Sequence, residues 1–250
     1  MTLAQSLPAR LLRTLVGVPF LFFYMCAMAT VIIVGGESQL SEWALAHWCN
    51  QCLRVAGARV LFSSVKLDPD KSYVFVANHT SDLDIFAIIT RIGRPMRFIA
   101  KKELSYVPFF GTAAARMGHV FVDRKRPRVA AEAIQRRIQR GFTEGVGLLF
   151  FAEGTRAKTA QLLPFKKGAA IAAIDTQLDV VPIGIAGARE IKPPGFTLIT
   201  PGTMALCVGE PIPVRGFTLE TRDAFAQAQQ AAVARAVEAA NQLLAADRGA

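Results

Sequence analysis

The chain has 250 residues, 52% of them hydrophobic, with a formal net charge of +10 and a mean hydropathy of +0.33. That length holds one full α/β domain plus a small appendage, and four cysteines without framework spacing exclude a disulfide scaffold, which fits a reducing compartment. The charge is concentrated: Arg91 to Glu103 is net +4 and Val122 to Arg140 net +5, a basic face that suits an anionic bilayer or a phosphorylated substrate, while the absence of zinc-finger, RNP and basic-zipper patterns puts nucleic acid last.

Thr14 to Gly36 is free of charge over 23 residues and follows Arg10 and Arg13. It is long and apolar enough to cross a bilayer as a helix. Ala27-Met28-Ala29 resembles a signal-peptide cleavage site, but the apolar run continues through Val34, so the segment reads as a retained anchor with its start cytoplasmic. Ser38 to Phe62 reads as a second helix, opened by Ser41-Glu42, with Trp43 and Trp48 suited to a membrane interface. Within it, Cys49-x-x-Cys52 beside His47 lacks the second pair a zinc site needs, so both thiols read as structural, as do Cys26 and Cys207. The expected organisation is a membrane-anchoring two-helix segment over 1–62 and a catalytic domain over 63–250. The pair either spans the bilayer or dips in and returns. Cytoplasmic access to substrates favours the re-entrant form.

Tyr73 to Ala77 is a buried strand, breaking into Asn78-His79-Thr80-Ser81 before a helix that begins near Asp84 and runs to about Ile92, capped by Ser81 or Asp82. Met96 to Ala100 is a strand, Ala113 to Met117 a helix, and His119 to Val122 a strand ending at Asp123-Arg124. Val129 to Glu144 is an amphipathic helix with Ile134, Ile138 and Phe142 inside and Arg136, Arg137 and Arg140 outside. Gly147 to Phe151 is a strand ending in Glu153-Gly154-Thr155-Arg156, followed by a small-residue helix over Ala169 to Asp175. Val180 to Ile185 is a strand in which Pro182 marks an edge or a bulge. Phe196 to Thr200 and Met204 to Val208 read as a hairpin about Pro201-Gly202, and Thr221 to Leu244 as a closing helix. The alternation predicts an α/β fold: a mixed, mostly parallel sheet flanked by helices.

Three of these loops fall at the carboxyl ends of strands, where open α/β sheets keep their ligands. Asp84, five residues after His79, can reach back from the first helical turn and fix the imidazole tautomer. The bland alternative makes Asp82 and Asp84 helix-start charges and His79 a loop residue. Asp82-Leu83-Asp84 also matches the D-x-D that holds a metal in some glycosyltransferases. A base with arginines from two neighbouring loops suits proton abstraction from an alcohol on a phosphorylated molecule.

These blocks carry a resemblance. Asn78-His79 with Asp84, Phe121-Val122-x-Arg124, Glu153-Gly154-Thr155-Arg156 and Val181-Pro182-Ile183, in this order between about residues 74 and 185, resemble the glycerolipid acyltransferase family, and within it the 1-acyl-sn-glycerol-3-phosphate acyltransferases. Lys101-Lys102-Glu103-Leu104 and Pro108-Phe109-Phe110-Gly111 also look familial. The chain departs at Ala152, where the family usually has proline, and at Thr80-Ser81-Asp82, a set that bears on acceptor choice.

The resemblance implies His79 as general base on the sn-2 hydroxyl of lysophosphatidic acid and Asp84 as its orienting carboxylate, with direct attack on an acyl thioester. It implies acceptor binding by Arg124, Glu153, Gly154 and Arg156, with Asn78, Lys101 and Thr155 counted in that set. It implies no metal and no cofactor, acyl-CoA or acyl carrier protein being the co-substrate. The expected location is a bacterial-type inner membrane, with the catalytic domain on the cytoplasmic face. The runner-up acceptor is another lysolipid, such as a lyso-ornithine lipid. The alternative of another class is a basic membrane-binding protein without catalysis. A serine lipid hydrolase lacks its G-x-S-x-G elbow.

Overall fold

The computed structural model describes residues 6–123, 125–139, 145–159, 161–195 and 198–249. The chain opens with α1 (Leu7–Leu12), a π-helical turn (Arg13–Gly17) and α2 (Val18–Gly35), which together make one continuous helix over Leu7–Gly35. Gly36 breaks it at φ +60°, and α3 (Gln39–Ala56) folds back against it. The Ser38 hydroxyl caps α3 by accepting from the Ser41 N–H at 3.3 Å. This is the expected helical pair, but the second helix ends at Ala56, where Gly57 turns left-handed at φ +64°.

The sheet begins directly afterwards. Residues 58–62, the end of the segment expected to be helical, belong to β1 (Ala58–Ser64), so the boundary expected at 62/63 falls inside a strand of the sheet. There follow β2 (Tyr73–Ala77), α4 (Leu83–Ile92), β3 (Met96–Lys101), a 3₁₀ turn (Lys102–Tyr106), α5 (Phe110–Arg116), β4 (Val120–Val122), α6 (Pro127–Gln139), β5 (Gly147–Phe151), α7 (Gly168–Thr176), β6 (Val180–Ala186), α8 (Ala188–Ile191), β7 (Gly202–Val208) and α9 (Arg222–Gly249). Phe142, Arg140 and the end of the helix expected to reach Glu144 lie outside the described residues.

The seven strands order as β1-β7-β6-β2-β5-β3-β4. Every neighbouring pair is parallel except β6 with β7. The expected hairpin over 196–208 is not present among the described residues: β7 pairs instead with β1 and β6, and the Thr200 N–H goes to the Ile191 carbonyl at 2.9 Å. Nor is β6 an edge. It lies between β2 and β7, and it tolerates Pro182 because its pairing with β7 starts only at Ile183. The Pro182 carbonyl accepts from Gly209, just past the end of β7, so the missing N–H faces the side where that strand has finished.

Strands buried on both faces read as apolar runs, which is why β2 and β6 are buried throughout. One face, with Tyr73, Phe75, Leu149 and Ile183, packs under α2, α3 and α4. The other, with Val74, Val76, Leu148 and Phe150, packs under α7 and α9. The carboxyl ends of β2, β3 and β5 therefore converge beside the first helical layer.

Candidate active site

Asn78 and His79 follow β2 directly. The Asn78 amide is buried and bridges to β6, donating to the Ile185 carbonyl at 2.9 Å and accepting its N–H at 2.8 Å. It therefore clamps two strand ends and leaves His79 at the rim. His79 has its ring stacked on Phe151, centroids 3.9 Å apart, because Ala77 and Phe151 are partners in the β2–β5 register.

Asp84, on the first turn of α4, is fully buried. Its Oδ2 takes three donors: His79 Nδ1 at 2.9 Å, the Thr80 N–H at 2.6 Å and the Ser81 N–H at 2.8 Å. The Ser81 hydroxyl accepts from the Leu83 N–H at 3.2 Å, so the loop is fixed from both sides. With Nδ1–H committed to the carboxylate, Nε2 is the ring nitrogen that can accept a proton.

Glu153 is buried, and its two oxygens serve backbone: Oε1 accepts from the His79 N–H at 2.7 Å and Oε2 from the Leu163 N–H at 2.9 Å. Burial raises its pKa, against the opposing pull of the bonds from Leu163 and His79. In this structure each Glu153 oxygen already accepts a backbone N–H, one of them that of His79. Asn78 likewise spends its amide on β6. Both residues are buried and bonded to backbone, which holds the strand ends beneath His79.

The neighbouring loop brings cations. The Ala157 N–H donates to the His79 carbonyl at 2.7 Å, which sets Arg156 beside the histidine. Gly154 has φ +71°, and a Cβ there would lie 2.9 Å from Lys166 Nζ, so the glycine admits that ammonium to the loop. Thr155 is exposed. Lys101 is exposed, paired to Glu103 at 3.1 Å, and lines the same groove as His79. Arg124 lies outside the described residues.

That groove has a volume of about 440 Å³. One wall is the helical pair, through Met28, Ile32 and Trp48; the other is α4, β3 and α5, through Ile89, Phe98 and Ala113. His79, Asp82 and Arg156 stand among its lining with Lys101. An apolar slot beside a histidine–aspartate pair and several cations can hold a hydrocarbon chain and an anionic head at once. Sequence reasoning missed Phe151 as the stacking partner of His79, Lys166, and the contribution of the first helix to the groove. The β2–β5 register that aligns Phe151 is a non-local property. Among the described residues, no group of three or more His, Cys, Asp and Glu side chains converges to hold a metal ion.

Comparison with known proteins agrees with this architecture. Residues 59–186 match the family model described as Acyltransferase. The chain is similar to the 1-acyl-sn-glycerol-3-phosphate acyltransferase of Saccharomyces cerevisiae, 30% identical over 209 residues that cover 82% of this chain and 69% of the yeast protein. It is also similar to an uncharacterised acyltransferase of Schizosaccharomyces pombe, 38% identical over 152 residues, 60% of this chain and 54% of that one. The match to that relative thus spans about half its length. Among solved structures, the chain resembles the crystal structure of the 1-acyl-sn-glycerophosphate (LPA) acyltransferase PlsC from Thermotoga maritima, with a TM-score of 0.71, 25% identity, and coverage of 92% of this chain and 96% of that chain.

Proposed function

The chain belongs to the acyltransferase family, and on that premise we propose that it transfers an acyl group from a thioester donor, acyl-CoA or acyl carrier protein, to the sn-2 hydroxyl of lysophosphatidic acid, giving phosphatidic acid. The observation that carries the reading is the His79–Asp84 pair at 2.9 Å on the lip of an apolar groove. His79 Nε2 takes the hydroxyl proton as the oxygen attacks the thioester carbonyl. Asp84 stabilises the imidazolium that forms. The C–S bond then breaks, and the imidazolium returns its proton to the departing thiolate. No acyl-enzyme is needed, because the acceptor is itself the nucleophile. Arg156, with Lys101 and Arg124, serves the acceptor's phosphate.

The acyl chain is hydrophobic and enters from a bilayer. A helix over Leu7–Gly35 is long and apolar enough to cross one. Its exposed face carries Leu15, Phe20, Phe22, Phe23 and Val34. Both ends are tied to the catalytic sheet side: Thr14 Oγ1 accepts from the Ile199 N–H at 3.0 Å, Arg116 donates to the Ile33 carbonyl at 3.1 Å, and Glu37 pairs with Arg97 and Arg137. A helix held at both ends by one domain lies along that domain, which supports a pair embedded in one face of a membrane over a pair that crosses it.

The test is thiol release from acyl-CoA and from acyl carrier protein in detergent, with and without lysophosphatidic acid. Release is expected only with the acceptor present. The His79→Ala variant is expected to lose about 10²–10⁴-fold of it while remaining folded. Acceptor-independent release would mark a thioesterase instead.

A further inference from the structure

We propose that Asp82 is a built-in counter-anion of the acceptor site, holding Arg156 and Lys192 until a phosphate displaces it, and that Lys192 is a further cation of that site. This rests on the reading that Arg156 serves an acceptor phosphate.

Asp82 precedes α4, one turn from His79, and its carboxylate is claimed twice. Oδ1 accepts from Arg156 Nη1, and Oδ2 lies 3.4 Å from Lys192 Nζ. The three residues come from three loops, after β2, after β5 and after α8. Lys192 is not a loose surface lysine. Its carbonyl accepts from the Ser81 hydroxyl at 2.7 Å, and its ammonium donates to the Pro193 and Gly195 carbonyls at 3.1 and 2.6 Å. Its side chain is 19% exposed. The chain thus delivers a fixed ammonium to the lip of the groove that Asp82 and Arg156 line.

The alternative is an ion pair that merely staples loops together. Exposure argues against it. The Asp82 side chain is 49% exposed and that of Arg156 34%, and pairs in that environment add about 0–1 kcal/mol to stability. The staples here are buried: Asp84 on the Thr80 and Ser81 N–H groups, Glu153 on the His79 N–H, and the Ala157–His79 backbone bond. Asp82 is free to leave without loosening them.

What it does affect is the local charge. With the carboxylate in place, Arg156 and Lys192 are partly neutralised, and an arriving phosphate meets a negative group at its own site. With it swung aside, two cations face the anion. Asp82 therefore sets how weakly the site holds small anions. An acceptor whose lipid chain also occupies the apolar groove can displace it, whereas a bare phosphate lacks that extra binding energy. The residue weakens both ligands alike, so that only an acceptor with the added binding energy of its lipid chain stays bound at low concentration.

The experiment has two arms on the full chain in detergent. The first follows acceptor kinetics with lysophosphatidic acid, with inorganic phosphate as inhibitor. Asp82→Asn is expected to lower the KM at least 3-fold and to lower the inhibitory phosphate concentration by a similar factor, with kcat unchanged or reduced. Lys192→Met is expected to raise the KM. The second arm needs no turnover. Inorganic phosphate is expected to raise the melting temperature of Asp82→Asn more than that of the wild type, and that of Lys192→Met less. Asp82→Ser repeats both arms should the amide disturb the loop. Equal phosphate-induced shifts in the wild type and both Asp82 variants, or a KM raised by Asp82→Asn, would overturn the proposal. A wild type that turns over no lysophosphatidic acid but still shows the graded phosphate shifts would sink the assigned acceptor and leave the anion site standing.

Discussion

At the scale of single residues, the geometry of the site rests on buried groups bonded to His79 and to neighbouring backbone. Asp84 is buried and answers three donors with one oxygen. In Asp84→Asn, an amide replaces that carboxylate among the Thr80 and Ser81 N–H groups, and the imidazolium loses its counter-charge. Activity is expected to fall about 10²–10⁴-fold, measured as acceptor-dependent thiol release. Stability should drop by about 1–3 kcal/mol for the donors left unpaired, read by denaturant melts. Glu153 gives a test of different sign. Its folded pKa is raised above the usual 4.5, by burial first, against the bonds from Leu163 and His79. Its contribution to stability is therefore complete below that usual value and is lost as pH rises through the folded one. Glu153→Gln does not titrate. The melting temperature of the variant minus that of wild type should be more positive at pH 7.5 than at pH 4, and a difference constant with pH would refute the assignment.

At the scale of elements, close backbone approach decides the geometry. β6 and α9 meet at Gly184, where a Cβ would lie 2.0 Å from the Ala236 carbonyl carbon and 2.1 Å from the Val237 nitrogen. Neither is a side-chain end that can rotate away. Gly184→Ala must push the whole of α9 off the sheet, with an expected loss of about 3 kcal/mol or more, visible in the denaturation midpoint. The turn before α5 carries strain of another kind. Phe109 sits at φ +63°, a region that L side chains rarely adopt, and the residue is 48% exposed, so packing does not repay the conformation. Phe109→Gly should therefore hold or raise the melting temperature. A fall of several degrees would mean that the ring contributes packing in the folded protein.

At the scale of the whole molecule, the helical pair is one wall of the groove. It is joined to the sheet by Arg97, a buried guanidinium that reaches Glu42 at 2.7 Å and Glu37 at 3.4 Å. Arg97→Ala leaves Glu42 without its partner while Glu37 keeps Arg137, and both carboxylates are partly exposed, so the expected cost is about 1–3 kcal/mol. The outer face of the pair should be separable from this. Phe22→Asp with Phe23→Asp is expected to weaken flotation with anionic vesicles while leaving turnover of detergent-solubilised substrate near wild type. Loss of both together would mean that the outer face also shapes the groove.

Much was legible in the chain itself. The apolar runs of β2, β5 and β6 and the polar breaks after β2 and β5 locate the strand ends, and the five-residue step from His79 to Asp84 forms a contact within one loop and one helical turn. Such features depend on neighbours in sequence, so periodicity and spacing determine them. What only the tertiary structure decided depends on partners far along the chain: β1 as a strand beside β7, Pro182 inside the sheet, Asn78 and Glu153 as buried clamps, and Lys192 facing Asp82 across 110 residues. Parallel pairing brings together segments with no local signal of their register. Whether a polar side chain serves a substrate or its own backbone is settled by burial, which is a property of the assembled layers.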